Sequence, residues 1–260
     1  EVLLLTALGV GVAGGSFVVG IAYLSKWYGK ERQGTALGVY GMGNIGAAVT
    51  KFIAPFVMVS YGWHMVAQVW AVSLVVIALL FWFFTKDEPQ IQQQRAAKTA
   101  PKSMWESLKP LKKLQVWRFS LYYFFVFGGF VALALWLPRY YVGVYELDIK
   151  SAGMLAASFS IAASLFRAVG GYLSDKYGAR AVMYWTFLVS ALCCFLLSYP
   201  QTDYVVHGID GNIEFSFGWG FIPFTVIVFV LGFFMSLGKA AIYKHIPVYY
   251  PNDVGSVAGI

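Results

Sequence analysis

Residues 63–85 run without a single Asp, Glu, Lys or Arg. An α-helix needs about 20 such residues to cross the hydrocarbon core of a bilayer. Six further apolar stretches occur at 2–25, 33–60, 119–143, 151–173, 181–200 and 219–249, and an eighth opens near residue 253. In lipid, backbone N–H and C=O groups must be satisfied within a helix or in a closed barrel. Runs this long, rich in Ala, Leu and Gly, predict helices. Composition agrees: 59% of the 260 residues are hydrophobic and 12% are charged, against about 25% charged in a soluble domain. The expected fold is all-α, a polytopic membrane helix bundle. The chain opens at Glu1 on an apolar run and stops in what reads as the start of another helix. We therefore expect an internal segment of a longer polypeptide.

The net charge of +7 sits in a few loops, which is a topology signal and not a nucleic-acid footprint. Loop 26–32 carries Lys26, Lys30 and Arg32 against Glu31. Loop 86–118 carries Lys86, Arg95, Lys98, Lys102, Lys109, Lys112, Lys113 and Arg118 against Asp87, Glu88 and Glu106. Loop 174–180 carries Lys176 and Arg180 against Asp175. The intervening loops hold Arg139 and Lys150 against Glu146, Asp148, Asp203, Asp210 and Glu214. The positive-inside rule puts the first set in the cytoplasm, and the alternation of sides fits seven spans. Cys193 and Cys194 are adjacent within an apolar span and read as packing residues.

The polar 86–118 segment, with Pro89, Pro101 and Pro110, divides the chain. Within it, Trp105 to Leu108 fits either a short amphipathic surface helix or a flexible linker. A repeat spans the divider. Leu8-Gly9 and Gly15 recur as Leu231-Gly232 and Gly238, and Gly34-Thr35-Ala36-Leu37-Gly38-Val39 recurs as Gly255-Ser256-Val257-Ala258-Gly259-Ile260. Parallel repeats of this sort build two-bundle transporters with the substrate site at the midplane. Gly9 to Gly14 matches G-x-G-x-x-G, but it follows no strand and reads as helix packing.

Three cations lie well inside spans, away from their ends: Lys51, Arg167 and Lys239. No carboxylate lies in the middle of one. A charge at membrane depth costs several kcal/mol, so a structurally paired cation should bring an acidic neighbour with it. A mobile anion is the alternative partner, and snorkelling to the interface is the bland one. Arg167 is the deepest, and its planar fork of donors suits an oxyanion. In span 33–60, Gly34, Gly38, Gly41, Ile45 and Ala48 form a close-packing stripe beside a polar stripe of Tyr40, Asn44, Ala47 and Lys51. Asn44 fits an anion contact or an interhelical hydrogen bond equally well. Pro55 should kink or weaken the outer part of this span. Ser236, Lys239 and Tyr243 form a similar stripe on span 219–249, and Tyr122 and Tyr123 precede Gly128-Gly129 on span 119–143. His245 reads as a packing residue. No nucleophile–base pair or metal-spaced cluster appears beside the spans. An enzyme is therefore not expected, and no metal, nucleotide or other cofactor is implied.

Gly171-Tyr172-Leu173-Ser174-Asp175-Lys176-Tyr177-Gly178-Ala179-Arg180 resembles the cytoplasmic loop motif of the major facilitator superfamily, G-x-L-[AS]-D-[RK]-x-G-x-[RK]. The copy would be the second of two, between spans 8 and 9 of twelve. That makes 1–85 the end of an N-terminal bundle (spans 4–6), 86–118 the central cytoplasmic loop, and 119–260 a C-terminal bundle (spans 7–10 and the start of 11). Within the superfamily, Gly38 to Lys51 resembles the glycine-rich signature of the nitrate/nitrite porters (NarK-type), including the Gly43-Asn44-x-Gly46 core. Leu165 to Gly171 resembles the porters' span 8, whose Arg holds the anion, and Tyr123 matches a span 7 Tyr that contacts substrate. The Ala47-Ala48-Val49-Thr50-Lys51 ending departs from the Val-Ser-Val-Met form and looks more like the proton/nitrate symporter branch.

The resemblance implies a monomeric, multi-pass transporter of the bacterial inner membrane. It would move nitrate or nitrite by alternating access, with proton symport favoured over nitrate/nitrite exchange. Substrate would be bound by Arg167, Asn44, Tyr123, Gly43 and Gly46, in a cavity lined by Tyr40, Lys51, Lys239 and Tyr243. Gly171, Asp175, Lys176, Gly178 and Arg180 would form the conformational latch. Two rivals are a transporter of another small anion and a non-transporting receptor or assembly subunit.

Overall fold

The computed structural model describes residues 2–85, 103–199, 202–209 and 211–260. Helix α1 covers Val2–Trp27. The next span is α2, Gln33–Gly41, a 3₁₀ turn at Met42–Ile45, and α3, Gly46–Tyr61. Helix α4 covers Trp63–Phe84 and the short α5 Met104–Ser107. Then come α6, Leu114–Tyr123, a π-helical turn at Phe124–Gly128, and α7, Gly129–Tyr145. Helices α8, Ile149–Leu165, and α9, Arg167–Tyr177, make one span broken at Phe166. Helix α10 covers Ala179–Leu197, α11 Phe221–Tyr249 and α12 Val254–Gly259. Among the described residues, six helical stretches other than α1 are long and apolar enough to cross a membrane. The central loop was expected to run from 86, but residues 86–102 lie outside the described residues. The remainder of that loop contains α5, so the short-helix reading of Trp105 to Ser107 stands.

Local chemistry explains the ends. Asp148 caps α8 by accepting from the backbone N–H of Lys150 (2.9 Å) and Ser151 (3.1 Å). Gly178, with φ of +87°, makes the tight turn between α9 and α10. Helix α3 runs through Pro55 as one element, so the expected weakening there does not break it. The ring packs where α8 comes closest, and a Cβ on Gly153 would meet Pro55 Cγ at 2.9 Å.

One element was not anticipated. Residues 202–217 form an antiparallel hairpin, β1 (Thr202–Gly208) paired with β2 (Gly211–Phe217), in register from Thr202↔Phe217 to Gly208↔Gly211. Tyr204 stacks on Phe215 across it with centroids 5.3 Å apart. The hairpin sits in an outer loop and leaves the bundle helical. It escaped the reading because two seven-residue strands are too short to register in a search for membrane-length runs.

Packing centres on α11, which touches α8, α9 and α10, while α9 lies along α2 and α8 along α3. Two apolar clusters result. One joins Val116, Phe119, Leu237, Ile242, Tyr243 and Ile246. The other joins Phe130, Leu137, Tyr141, Phe159, Leu231 and Met235. The predicted glycine stripe is the α2–α9 seam. A Cβ on Gly34 would meet the Gly171 carbonyl oxygen at 2.7 Å, and one on Gly38 would strike the Arg167 carbonyl. Cys193 is buried, Cys194 is exposed, and both are free thiols.

Candidate functional site

Between the two apolar clusters, three spans depart from regular α-helical geometry. The 3₁₀ turn carries Asn44, the break at Phe166 immediately precedes Arg167, and the π turn follows Tyr123. Such irregularities within a helix recur at functional positions. Here each places a candidate side chain.

Arg167 is 1% exposed. Its Nη1 donates to the Gly41 carbonyl oxygen at 3.1 Å. With the Asn44 amide oxygen turned toward the guanidinium, that oxygen accepts from Nη1 at 3.2 Å and Nη2 at 3.0 Å. The guanidinium carbon lies 5.6 Å from the Phe17 ring centre and 6.0 Å from that of Phe127. Gly41 has to be glycine for this approach, since a Cβ there would lie 2.7 Å from Arg167 Cδ. Tyr123 stacks on Phe127 (5.0 Å) and meets Tyr243 edge-on (5.1 Å). Both tyrosines are electrostatic neighbours of Arg167. Arg167 Nε has no hydrogen-bond partner, and among the described residues no carboxylate pairs with the guanidinium. The side chain is buried and finds no fixed counter-ion among the described residues.

Magnitudes show how incomplete this environment is. Removing an ion from water leaves an effective penalty of several kcal/mol even after relaxation. A desolvated cation–π contact returns about 2 kcal/mol, and a hydrogen bond to a charged group about 1.5–3 kcal/mol. Neutral acceptors and ring faces offset much of the cost but supply no opposite charge.

Of the other candidates, Tyr243 is buried beside Tyr123. Tyr40 stacks on Phe17 (5.0 Å) and donates to its carbonyl at 3.2 Å. Lys239 is 0% exposed, its Nζ has no hydrogen-bond partner, and it rests 3.8 Å from the Phe130 ring centre. Lys51 lies farther out and donates to Ser160 Oγ at 2.6 Å. Gly43 and Gly46 are not brought to Arg167. Both are exposed, with nothing within 4 Å of where a Cβ would stand. The 3₁₀ turn directs Asn44 inward and these two glycines away. A cavity of about 510 Å³, lined in part by Tyr123, Phe127 and Tyr243, reaches the aromatic side of the cluster.

The Asp175 region is a second, separate constellation at the cytoplasmic end. Its Oδ1 accepts from Gly34 N (3.0 Å), and its Oδ2 accepts from Thr35 N and Thr35 Oγ1 (both 2.7 Å). A carboxylate from α9 thus caps the N-terminus of α2, where unpaired N–H groups and the helix dipole favour negative charge. Lys244 Nζ, on α11, lies 2.6 Å from Oδ1 and also donates to the Lys30 carbonyl. Gly171 supplies the close seam against Gly34, and Gly178 supplies the turn. Lys176 and Arg180 point elsewhere: Lys176 Nζ sits 5.0 Å from the Tyr177 ring centre, and Arg180 Nε donates to Tyr184 Oη at 3.0 Å. His245, as read, packs, stacked on Phe119 at 5.6 Å.

Sequence reasoning missed Gly41 as an acceptor, Phe17 and Phe127 as ring partners, and Lys244 and Thr35 as partners of Asp175. Only Gly41 carried a signal, through the glycine stripe. Thr35 adjoins that stripe but is an ordinary helix-start residue, and Phe17, Phe127 and Lys244 come from helices whose register against α9 is not written in any local pattern.

Residues 2–260 match the family described as Major Facilitator Superfamily. The "Probable nitrate/nitrite antiporter NarK1" of Thermus thermophilus is 46% identical, across 100% of this chain and 60% of that protein. The "Nitrite extrusion protein" of Bacillus subtilis is 32% identical, across 96% of this chain and 57% of that protein. The "Probable nitrate transporter NarT" of Staphylococcus epidermidis is 29% identical, across 99% and 60%. The chain therefore spans about 60% of the length of these curated relatives. Six membrane-length helices and a family match over nearly every residue make this a multi-pass integral membrane protein, and the chain belongs to the Major Facilitator Superfamily.

Proposed function

We propose that this chain is part of a bacterial inner-membrane transporter that moves nitrate or nitrite by alternating access. The observation that carries the reading is the buried Arg167, held by neutral acceptors and facing no fixed carboxylate among the described residues. The names of the relatives in Thermus, Bacillus and Staphylococcus support the substrate. In this reading the guanidinium fork binds the oxyanion through paired hydrogen bonds, Asn44 and Tyr123 add neutral donors, and Tyr40 and Tyr243 line the cavity. Residues 1–85 close the N-terminal bundle, 86–118 link it, and 119–260 form most of the C-terminal bundle. Asp175 latches the cytoplasmic end through α2, and its release accompanies rocking of the two halves.

Coupling to protons is the reading drawn from the Thr50-Lys51 ending, whereas the Thermus relative's name supports exchange. Uptake of nitrate by the full-length protein in liposomes tests both. An inward pH gradient drives uptake under symport, and internal nitrite drives it under exchange. Uptake of a larger carboxylate in preference to nitrate, with neither driving force effective for nitrate, would overturn the substrate assignment.

A further inference from the structure

Lys239 is the least satisfied charge described in the protein. It sits in the middle of α11, is 0% exposed, and is enclosed completely by described residues, yet its ammonium donates to nothing. One turn earlier, Ser236 Oγ is equally buried and equally without a partner. The ammonium rests on Phe130, 3.8 Å from the ring centre. Phe130 lies 6.1 Å from Phe127, and Phe127 stands 6.0 Å from the Arg167 guanidinium. The two cations thus rest each near one ring of an aromatic pair. Like charges buried close together raise each other's free energy, and a ring face replaces only part of the lost hydration. A purely structural lysine would reach for a carbonyl, a hydroxyl or the interface. This one takes none of them.

We infer that Lys239 is a second cationic ligand for the transported anion, acting with Arg167 across the Phe127–Phe130 pair. The inference rests on the anion-transport reading of the Arg167 site. The ligand it implies is a small, weakly hydrated, monovalent oxyanion, charged enough to relieve the repulsion between two cations. Ser236 Oγ offers that anion a neutral donor on the Lys239 side. Arg167 holds the anion by geometry, and Lys239 holds it by charge.

The test is nitrate binding and nitrate-induced thermal stabilisation of the full-length protein carrying Lys239→Met, with Lys239→Arg as the charge-retaining control. Lys239→Met removes an unsatisfied buried charge at similar volume, so the anion-free protein should melt at a higher temperature. Its nitrate affinity should fall by about tenfold or more, which corresponds to about 1.4 kcal/mol. Lys239→Arg should recover most of that loss. If the Lys239→Met protein is poorly folded, Phe130→Leu should weaken nitrate binding by changing the surface on which the ammonium rests. Nitrate affinity within about twofold of wild type in folded Lys239→Met, with Arg167→Lys still disabling binding, would overturn the role of Lys239 and leave the Arg167 site standing. Retained nitrate binding in both variants would remove the anion site itself.

Discussion

Asp175 and Arg167 stand on one helix, eight residues and about 12 Å apart, yet the protein treats their charges in opposite ways. Asp175 receives two backbone N–H groups, a hydroxyl and a lysine ammonium, drawn from two other helices. Arg167 receives a carbonyl, a side-chain amide and ring faces, with no opposite charge among the described residues. A charge whose complement is built in ties helices together. A charge whose complement is missing needs something that comes and goes. In the proposed reading the first arrangement serves as a latch and the second as a binding site, and the same rule extends from Arg167 to Lys239.

That contrast can be broken at either end. The largest effect belongs to Arg167→Lys. A point charge replaces a planar fork, so nitrate affinity should fall by about 100-fold, equivalent to about 2.7 kcal/mol, while the protein still folds. Equilibrium nitrate binding measures it, and an unchanged affinity would mean that the fork is only a strut. Next comes Asp175→Asn, which keeps the shape and removes the charge that Lys244 faces. It should leave nitrate affinity nearly unchanged and make thiol probes reach single cysteines introduced beside loop 174–180 about tenfold faster, a shift of about 1.4 kcal/mol. An altered nitrate affinity with unaltered labelling would merge the two regions into one. The smallest effect is expected of Thr35→Val, which removes one of the three α2 donors to Asp175. It should cost about 1 kcal/mol, read as a small fall in melting temperature without a change in binding.

Much of this was legible beforehand, for identifiable reasons. The spans were readable because lipid imposes length and apolarity on every crossing. The α2–α9 seam was readable because Gly34, Gly38 and Gly41 repeat at helical spacing, and only glycine permits the approach that Gly171 and Arg167 make. Arg167 and Asn44 could be named because a polar group at membrane depth is conspicuous, and the structure brings them together. Gly43 and Gly46 belonged to the same motif but face away, since a 3₁₀ turn changes the angular step that assigns residues to faces. Lys176 and Arg180 were grouped with Asp175 by the loop motif, whereas the ion pair is made by Lys244, 69 residues on.

By itself the sequence determined that this chain spans a membrane many times and that its deepest cation has no acid beside it at the same depth. Those properties follow from local composition, because the bilayer acts on each segment separately. Only the tertiary structure decided that Asp175 is answered by α2 and α11, that Asn44 and Gly41 meet Arg167, and that Lys239 rests on a ring with no hydrogen-bond partner among the described residues. Partnership between charges depends on the rotation and register of packed helices, and those are set by how the small residues of several spans interlock.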